Sequence, residues 1–313
     1  MLVAAALLAG GGAAAGYAAL RHRLDRAGPL DHAEAVVVPR GDTAAVSAAL
    51  RSAGVIDSTR LFRLAAWLTH RHGKLHAAEL AFPAHASLRE VLVVLRTAKP
   101  VEHRLTIPEG LTALQIATLV QHADAATGGV TPPPEGRVLP QTYSYEYGTQ
   151  RSELLARGEA AMDQALAAAW AGRAPGLPLA SPLDALILAS IVERETARPE
   201  ERPHVAAVYL NRLRIGMRLD ADPTVAYGAS GGAGVLDHKL TRGDLEQDDP
   251  FNTYRRAGLP PTPIDSPGMA SIQAVLHPAE SDDLYFVADG SGSHAFARTL
   301  DAQNRNVARA RAK

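Results

Sequence analysis

Residues 181–196 read SPLDALILASIVERET and predict a helix that is buried on every side. Ser181 can accept hydrogen bonds from the free N–H groups of the first turn, and Pro182 suits the first helical position. Asp184 stands where the acidic residue of a capping box would lie. Apolar residues occupy all sides of the helix through Val192, a pattern typical of a helix enclosed by other elements of the fold.

Two glutamates, Glu193 and Glu195, follow that apolar run. At about 100° per residue, each stacks over mainly apolar residues of the preceding turns. Burial among apolar neighbours raises the pKa of a carboxyl group, and a glutamic acid that stays protonated near neutral pH can act as a general acid. The alternative is a helix end that reaches solvent, with both carboxylates hydrated. The periodicity does not choose between the two glutamates.

The composition favours two folded domains and excludes several classes of function. The chain has 313 residues, of which 47% are apolar and 21% charged, and about 150 residues per domain is usual. Its 32 basic and 33 acidic residues give no basic excess, so a general nucleic-acid-binding role is disfavoured. Cysteine is absent, which excludes disulfides, thiolate zinc sites and a cysteine nucleophile.

Residues 1–20 carry no charge and predict a transmembrane anchor, because about 20 helical residues span the hydrocarbon core of a bilayer. A cleaved signal peptide or an apolar core helix is the alternative. Residues 21–34 are then a linker. Arg21, Arg23 and Arg26 follow the segment, and no Lys or Arg precedes it. The positive-inside rule would therefore leave the rest of the chain in the cytoplasm.

The next part of the chain, residues 35–100, predicts a small α+β binding module. A β-rich run at 35–39 is followed by helical spacing at 43–50, 58–70 and 87–95, with a further strand between the last two helices. Residues 101–313 form the second predicted domain. It includes a strand at 101–107, helices at 112–122 and 151–172, and a buried strand within 283–289.

The run from Ala189 to Gly228 resembles the YceG-like (MltG) family of endolytic murein transglycosylases. It contains ASIVERET at 189–196, VAAVYLNRL at 205–213, GMRL at 216–219 and DPTVAYG at 222–228. Similar segments continue with NTY at 252–254, GLPP at 258–261 and LYFVA at 284–288. Upstream, VPRGD at 38–42 and TIPEG at 106–110 are similar to the family's LysM-like module and to its junction with the catalytic domain.

The chain departs from the family pattern in several places. Gln141, Thr262 and Ser266 stand where an aspartate, a glycine and an asparagine are usual, and AQN at 302–304 replaces a Glu-His-Asn element. AFP at 81–83 stands where the first module usually has a Gly-x-Tyr strand. These differences affect local contacts and glycan binding by the first module, but they leave the catalytic helix unchanged.

The resemblance implies an α+β chain in which a LysM-like module, residues 35–100, precedes a mixed α/β YceG-like catalytic domain, residues 101–313. It implies cleavage of the MurNAc–GlcNAc bond of peptidoglycan with formation of a 1,6-anhydro-MurNAc end. Glu193 would be the only catalytic acid/base, because the C6 hydroxyl of the substrate replaces water as the nucleophile. Neither a metal nor a cofactor is required.

Five further residues are candidates for substrate binding, and three of them have a structural alternative. Asn211 could hydrogen-bond a sugar or cap a helix surface, and Tyr227 and Tyr254 could stack on sugar rings, orient Glu193 or pack in the core. Thr224 and Asn252 are candidate donors in the wall of a cleft.

Other functions and the location of the protein stay open at this stage. Asp220-Ala221-Asp222 matches the acidic pattern by which some glycosyltransferases hold a metal, although three residues match easily by chance. A membrane-tethered glycan-binding scaffold without catalysis is the main alternative. We expect a single-pass inner-membrane protein with its catalytic domain in the periplasm. Its expected partners are glycan strands and peptidoglycan synthases, not nucleic acid.

Overall fold

The computed structural model describes residues 15–312, which divide into two compact units. Unit 1 is the chain up to His103 together with Ser144–Thr149, and unit 2 is Arg104–Tyr143 together with the chain from Gln150 onward. The described strands pair as three two-stranded sheets among many helices. A mixed α/β fold is thereby confirmed, whereas the LysM-like character of the first module stays a prediction.

The predicted anchor at 1–20 lies mostly outside the described residues, of which 15–25 are helical. No helix within residues 15–312 has both the length and the apolar character that crossing a bilayer requires.

Unit 1 has the predicted order of strand, helix, helix, strand and helix. Its elements are β1 (Glu34–Val37), α1 (Thr43–Ser52), α2 (Thr59–Leu68), β2 (Glu79–Phe82) and α3 (Leu88–Thr97). The strands β1 and β2 are antiparallel, with Val36 opposite Leu80. Side chains of Asp42, Ser58 and Ser87 cap the three helices. Each cap accepts a hydrogen bond from a free backbone N–H of the first turn, which fixes where the helix begins.

Unit 2 is mainly helical. Its helices are α4 (Ala113–Gln121), α5 (Arg151–Ala171), α6 (Pro182–Glu195), α7 (Arg202–Arg214), α8 (Asp222–Ala229), α9 (Arg242–Glu246), α10 (Met269–Leu276) and α11 (Leu300–Arg311). The strands β5 (Tyr285–Ala288) and β6 (His294–Ala297) form an antiparallel pair. The chain passes from one unit to the other within β3 (Glu102–Thr106) and within β4 (Thr142–Glu146).

The helix α6 lies in the core of unit 2, as its sequence predicts. Every residue from Ala185 to Val192 is buried, and α5, α7 and α10 pack around it. The Ser181 hydroxyl accepts a hydrogen bond from the N–H of Asp184, 3.2 Å away. Since α6 is enclosed by three helices, its C-terminal end carries Glu193 and Glu195 into the interior of the unit rather than into open solvent.

Candidate functional site

Three hydrogen-bond donors surround the carboxylate of Glu193, whose side chain is only 7% exposed. Arg202, in the first turn of α7, donates from Nη2 to Oε1 over 2.9 Å. The backbone N–H of Gly268 and the hydroxyl of Ser271 both donate to Oε2, at 3.0 and 2.7 Å. We call Arg202, Gly268 and Ser271 the Glu193 cradle. A buried carboxylate needs such partners, because burial without them is very costly.

This geometry corrects the expected surroundings of Glu193. The helix beneath it is apolar, but the carboxylate itself contacts a guanidinium, an amide and a hydroxyl rather than an apolar wall. The alternative of a solvated helix end is also wrong for Glu193, because the side chain is almost fully covered. The site therefore has a buried acidic group that accepts a hydrogen bond from a buried arginine.

Two loops pack beside the end of α6. The N–H of Ile264 donates to the Ser190 hydroxyl over 3.0 Å, which fixes the loop before α10 against α6. The second loop follows β3, and its Gly110 N–H donates to the carbonyl of Ser266 over 3.0 Å. Gly110 has φ +76°, a conformation that favours glycine. The carboxylate of the neighbouring Glu109 lies 3.8 Å from Arg202 Nη2.

Glu195, two residues further along α6, occupies a different environment. Its Oε1 accepts a 2.6 Å hydrogen bond from the Tyr209 hydroxyl. Burial raises the pKa of Glu195 to about 7, and the hydrogen bond from Tyr209 opposes part of that rise. The two glutamates therefore differ in their partners: Glu195 accepts from a tyrosine hydroxyl, whereas Glu193 lies in the cradle of Arg202, Gly268 and Ser271.

Asp265 is a third acidic group near the site. Its side chain is fully buried, and neither carboxylate oxygen has a hydrogen-bond partner among the described residues. Burial raises the pKa of Asp265 well above its usual value, and the negative charge of Glu193 raises it further. Asp265 is therefore a buried carboxyl group without hydrogen-bond partners among the described residues, and its surroundings favour the protonated form.

A cleft of about 300 Å³ lies beside the end of α6. Arg194, between the two glutamates, lines it together with Asp222, Pro223 and Leu236. Arg194 is held by the carbonyls of Gly110 and Gly234, to which its guanidinium donates over 3.3 and 3.1 Å. The cleft is thus open next to α6 and has a cation in its wall.

Three of the predicted substrate-binding residues make structural hydrogen bonds. Asn211 donates to the carbonyls of Ser281 and Asp283 over 2.8 and 3.0 Å. Thr224 is fully buried and donates to the carbonyl of Ala221, and Asn252, 1% exposed, donates to nearby backbone carbonyls. Their sugar-binding roles stay predictions, and these contacts favour the structural alternative.

The two tyrosines predicted to bind substrate each donate a hydrogen bond to a carboxylate. The Tyr227 hydroxyl donates to Glu135 Oε2 over 2.9 Å, and its ring packs against that of Phe251. The Tyr254 hydroxyl donates over 2.6 Å to Asp222, a residue of the cleft wall. Neither tyrosine hydrogen-bonds to Glu193, so a role in orienting that carboxylate would have to be indirect.

Residues 15–312 contain no group of three or more His, Asp or Glu side chains placed to hold a metal ion. In the Asp220-Ala221-Asp222 segment, Asp220 lies 3.8 Å from Arg212, and Asp222 accepts the hydrogen bond from Tyr254. Both carboxylates therefore already have partners within the protein.

The sequence alone indicates no role for the three residues of the cradle or for Asp265. A buried glutamate is expected to have a cation nearby. Arg194, Arg198 and Arg202 are all close enough in sequence to supply it, and the sequence does not distinguish among them. Gly268, Ser271 and Asp265 are more than 70 residues away in sequence, and no local pattern connects them to α6.

Comparison with known proteins identifies similar sequences. The YceG-like family matches residues 36–309. The endolytic murein transglycosylase of Bacillus subtilis (strain 168) is 42% identical over 120 residues, which are 38% of this chain and 32% of that protein. The endolytic murein transglycosylase of Streptococcus pneumoniae serotype 2 is 28% identical over an alignment that covers 98% of this chain and 64% of that protein. The chain thus spans less than two thirds of the length of these relatives.

A solved structure also resembles this fold. The crystal structure of a YceG-like protein from Listeria monocytogenes superposes with a TM-score of 0.55 at 26% sequence identity. The match covers 88% of this chain and 98% of the other.

Proposed function

Since the chain belongs to the YceG-like family, we propose that it is an endolytic transglycosylase that cleaves the glycan strands of peptidoglycan. The names of the relatives support this activity. The observation that carries the proposal is the buried carboxylate of Glu193, held by Arg202, Gly268 and Ser271 at the end of α6. A single carboxyl group fixed in this way suits a reaction that needs one acid/base.

In the proposed reaction, the Glu193 carboxylic acid protonates the oxygen between MurNAc and GlcNAc as the bond from that oxygen to C1 of MurNAc breaks. The resulting carboxylate then takes the proton of the C6 hydroxyl of the same MurNAc, and O6 bonds to C1. The products are a GlcNAc hydroxyl and a 1,6-anhydro-MurNAc end. No water is consumed, and Glu193 is protonated again.

The cradle suits the intermediate stage of this cycle. Once the proton has left Glu193, the negative charge faces the guanidinium of Arg202, the N–H of Gly268 and the hydroxyl of Ser271, all within 3.0 Å. Donors already in place stabilise a developing charge without reorganisation. Charge-assisted hydrogen bonds are also stronger than neutral ones.

The chemical nature of the new strand ends tests this proposal. Purified protein incubated with glycan strands in water labelled with heavy oxygen should release fragments with unlabelled 1,6-anhydro-MurNAc ends, as measured by mass spectrometry. Labelled reducing ends would instead indicate hydrolysis. Binding of strands without any new ends would favour the non-catalytic scaffold and contradict the proposal.

The proposal includes attachment to the inner membrane through residues 1–20, with the catalytic domain in the periplasm and peptidoglycan synthases as partners. The uncharged sequence of residues 1–20 supports the attachment, and the extracytoplasmic substrate supports the orientation. The basic residues after that segment favour the opposite orientation. A C-terminal reporter enzyme that folds only in the periplasm should be active, and an inactive one beside an active cytoplasmic reporter would contradict this orientation.

A further inference from the structure

One face of α2 in unit 1 presents large apolar side chains to solvent. Trp67 is 68% exposed, Leu68 49% and Leu64 45%. On the opposite face of the same helix, Phe62 and Ala65 are fully buried in the core of unit 1. The exposed apolar side chains are therefore not needed for the packing of the unit. Contiguous apolar surface of this kind marks a site that contacts a partner or a membrane.

Basic residues accompany the apolar ones on this face. Arg60 and Arg63 follow the same helical spacing as Leu64 and Trp67, and Arg71 lies in the short 3-10 turn after α2; all three are exposed. Between residues 58 and 78 the chain has these three arginines and Lys74 but no aspartate or glutamate. The whole chain has a net charge of -1, so the positive charge of this segment is a local feature and not an excess of basic residues throughout the chain. The surface is complementary to an anionic one.

The start of α2 also lies close to the segment that leaves the predicted anchor. Arg23 and Arg26 line a small cavity together with Ser58 and Leu61, which belong to the beginning of α2. The predicted anchor ends at residue 20, and the five helical residues that follow it, 21–25, extend about 8 Å. If residues 1–20 enter a bilayer, the first turn of α2 is therefore held near the surface of that bilayer.

We propose that the exposed face of α2 docks on an anionic lipid surface. The side chains of Leu64, Trp67 and Leu68 enter the headgroup region, where tryptophan is favoured. Arg60, Arg63 and Arg71 bind lipid phosphates while their aliphatic stems lie along the apolar surface. A glycan strand suits this face less well, because neutral sugar rings offer the arginines no counter-charge, whereas lipid phosphates do, and carboxylate or amide side chains would add acceptors for sugar hydroxyls. The face carries neither.

Fluorescence of Trp67 tests the docking directly. The chain has two tryptophans, so the full-length Trp170→Phe variant leaves Trp67 as the only reporter. This variant is reconstituted in vesicles of phosphatidylcholine with or without phosphatidylglycerol, and some of the lipids carry brominated acyl chains. We expect a blue shift and quenching of Trp67 in the anionic vesicles only. We also expect both signals to weaken at high salt, which screens the arginines.

Charge reversal provides the matched comparison. Each basic residue near an anionic surface strengthens binding about fivefold. The loss of two positive charges alone should lower the docking equilibrium about 25-fold, and Arg60→Glu with Arg63→Glu, which also adds two negative charges, should lower it further. The same reversals at the exposed Arg40 and Arg51, outside α2, change the net charge equally and should leave quenching in place. Any of three results would overturn the proposal. Trp67 could be quenched equally in neutral and anionic vesicles, it could be quenched in neither, or the two double variants could lose the same amount of quenching. A blue shift caused by glycan strands but not by lipid would also overturn it. The salt dependence of the unreversed chain decides the matter if the reversed chain does not fold.

Discussion

Replacing Glu195 by glutamine should remove a pH-dependent loss of stability from unit 2. Burial raises the pKa of Glu195 from 4.5 to about 7. Between these pH values the folded protein keeps a proton that the unfolded chain releases, so a rise in pH favours unfolding. The contribution of the protonated group is fully present below pH 4.5 and is lost as the pH rises through 7. At about 1.4 kcal/mol per pH unit, the loss amounts to about 3 kcal/mol.

Glutamine keeps the shape of the side chain and an oxygen that can accept the hydrogen bond from Tyr209. Any cost of the amide itself is the same at every pH. The expected result is therefore a change in the difference between the two proteins. The free energy of unfolding of Glu195→Gln should rise by about 3 kcal/mol relative to that of its parent between pH 4.5 and 7.5. Other titrating groups are shared by the two proteins and cancel in the difference.

Denaturant unfolding followed by tryptophan fluorescence measures this difference. Trp170 packs against the core of unit 2, whereas Trp67 belongs to unit 1. In a Trp67→Phe background the signal therefore reports unit 2 separately, which matters because the two units need not unfold together. Glu280→Gln, at an exposed position, removes the same charge as a control. A stability difference between Glu195→Gln and its parent that is equal at pH 5 and 7.5 would refute the reasoning.

Three further predictions concern the surroundings of Glu193. Ser271→Ala removes one of its donors and should lower the free energy of unfolding by about 2 kcal/mol; no change in urea unfolding would contradict this. A Cβ at position 268 would lie 1.8 Å from the carboxylate of Glu109, but that side chain is half-exposed and can turn away. Gly268→Ala should therefore lower the free energy of unfolding by less than about 1 kcal/mol, and adding Glu109→Ala should not lower it further. A large decrease that Glu109→Ala does not reverse would count against this. Burial raises the pKa of Asp265, so Asp265→Asn should gain stability relative to the parent as the pH rises from 4 to 8. A stability difference that stays constant over this range would contradict this, because it would show that the folded protein has already released the proton of Asp265.

The sequence predicts α6 well, because its cap and its apolar run are local features. Ser181 caps the helix and residues 185–192 are buried, both as expected. What surrounds the end of the helix depends on tertiary contacts instead. Periodicity places Glu193 and Glu195 over similar apolar turns, but only the packing of α7 and α10 gives one glutamate an arginine and the other a tyrosine.

The surroundings of the other site residues also depend on tertiary contacts that the sequence does not reveal. Asn211, Thr224 and Asn252 are polar residues within motifs that resemble the family, and that resemblance alone made them candidates for sugar binding. Their hydrogen bonds to backbone carbonyls form across loops that no local pattern reveals. Asp265 lies in a proline-rich segment with no apolar periodicity, so its complete burial could not be expected from sequence.

The most direct measurement compares Glu193→Gln with Glu195→Gln on glycan strands. The two variants remove the same charge from the same helix, two residues apart, so a general effect of charge or of α6 would appear in both. Mass spectrometry of the digests should show 1,6-anhydro-MurNAc ends with Glu195→Gln and none with Glu193→Gln. Anhydro ends from the Glu193 variant, or their loss only in the Glu195 variant, would contradict the assignment of Glu193 as the acid/base.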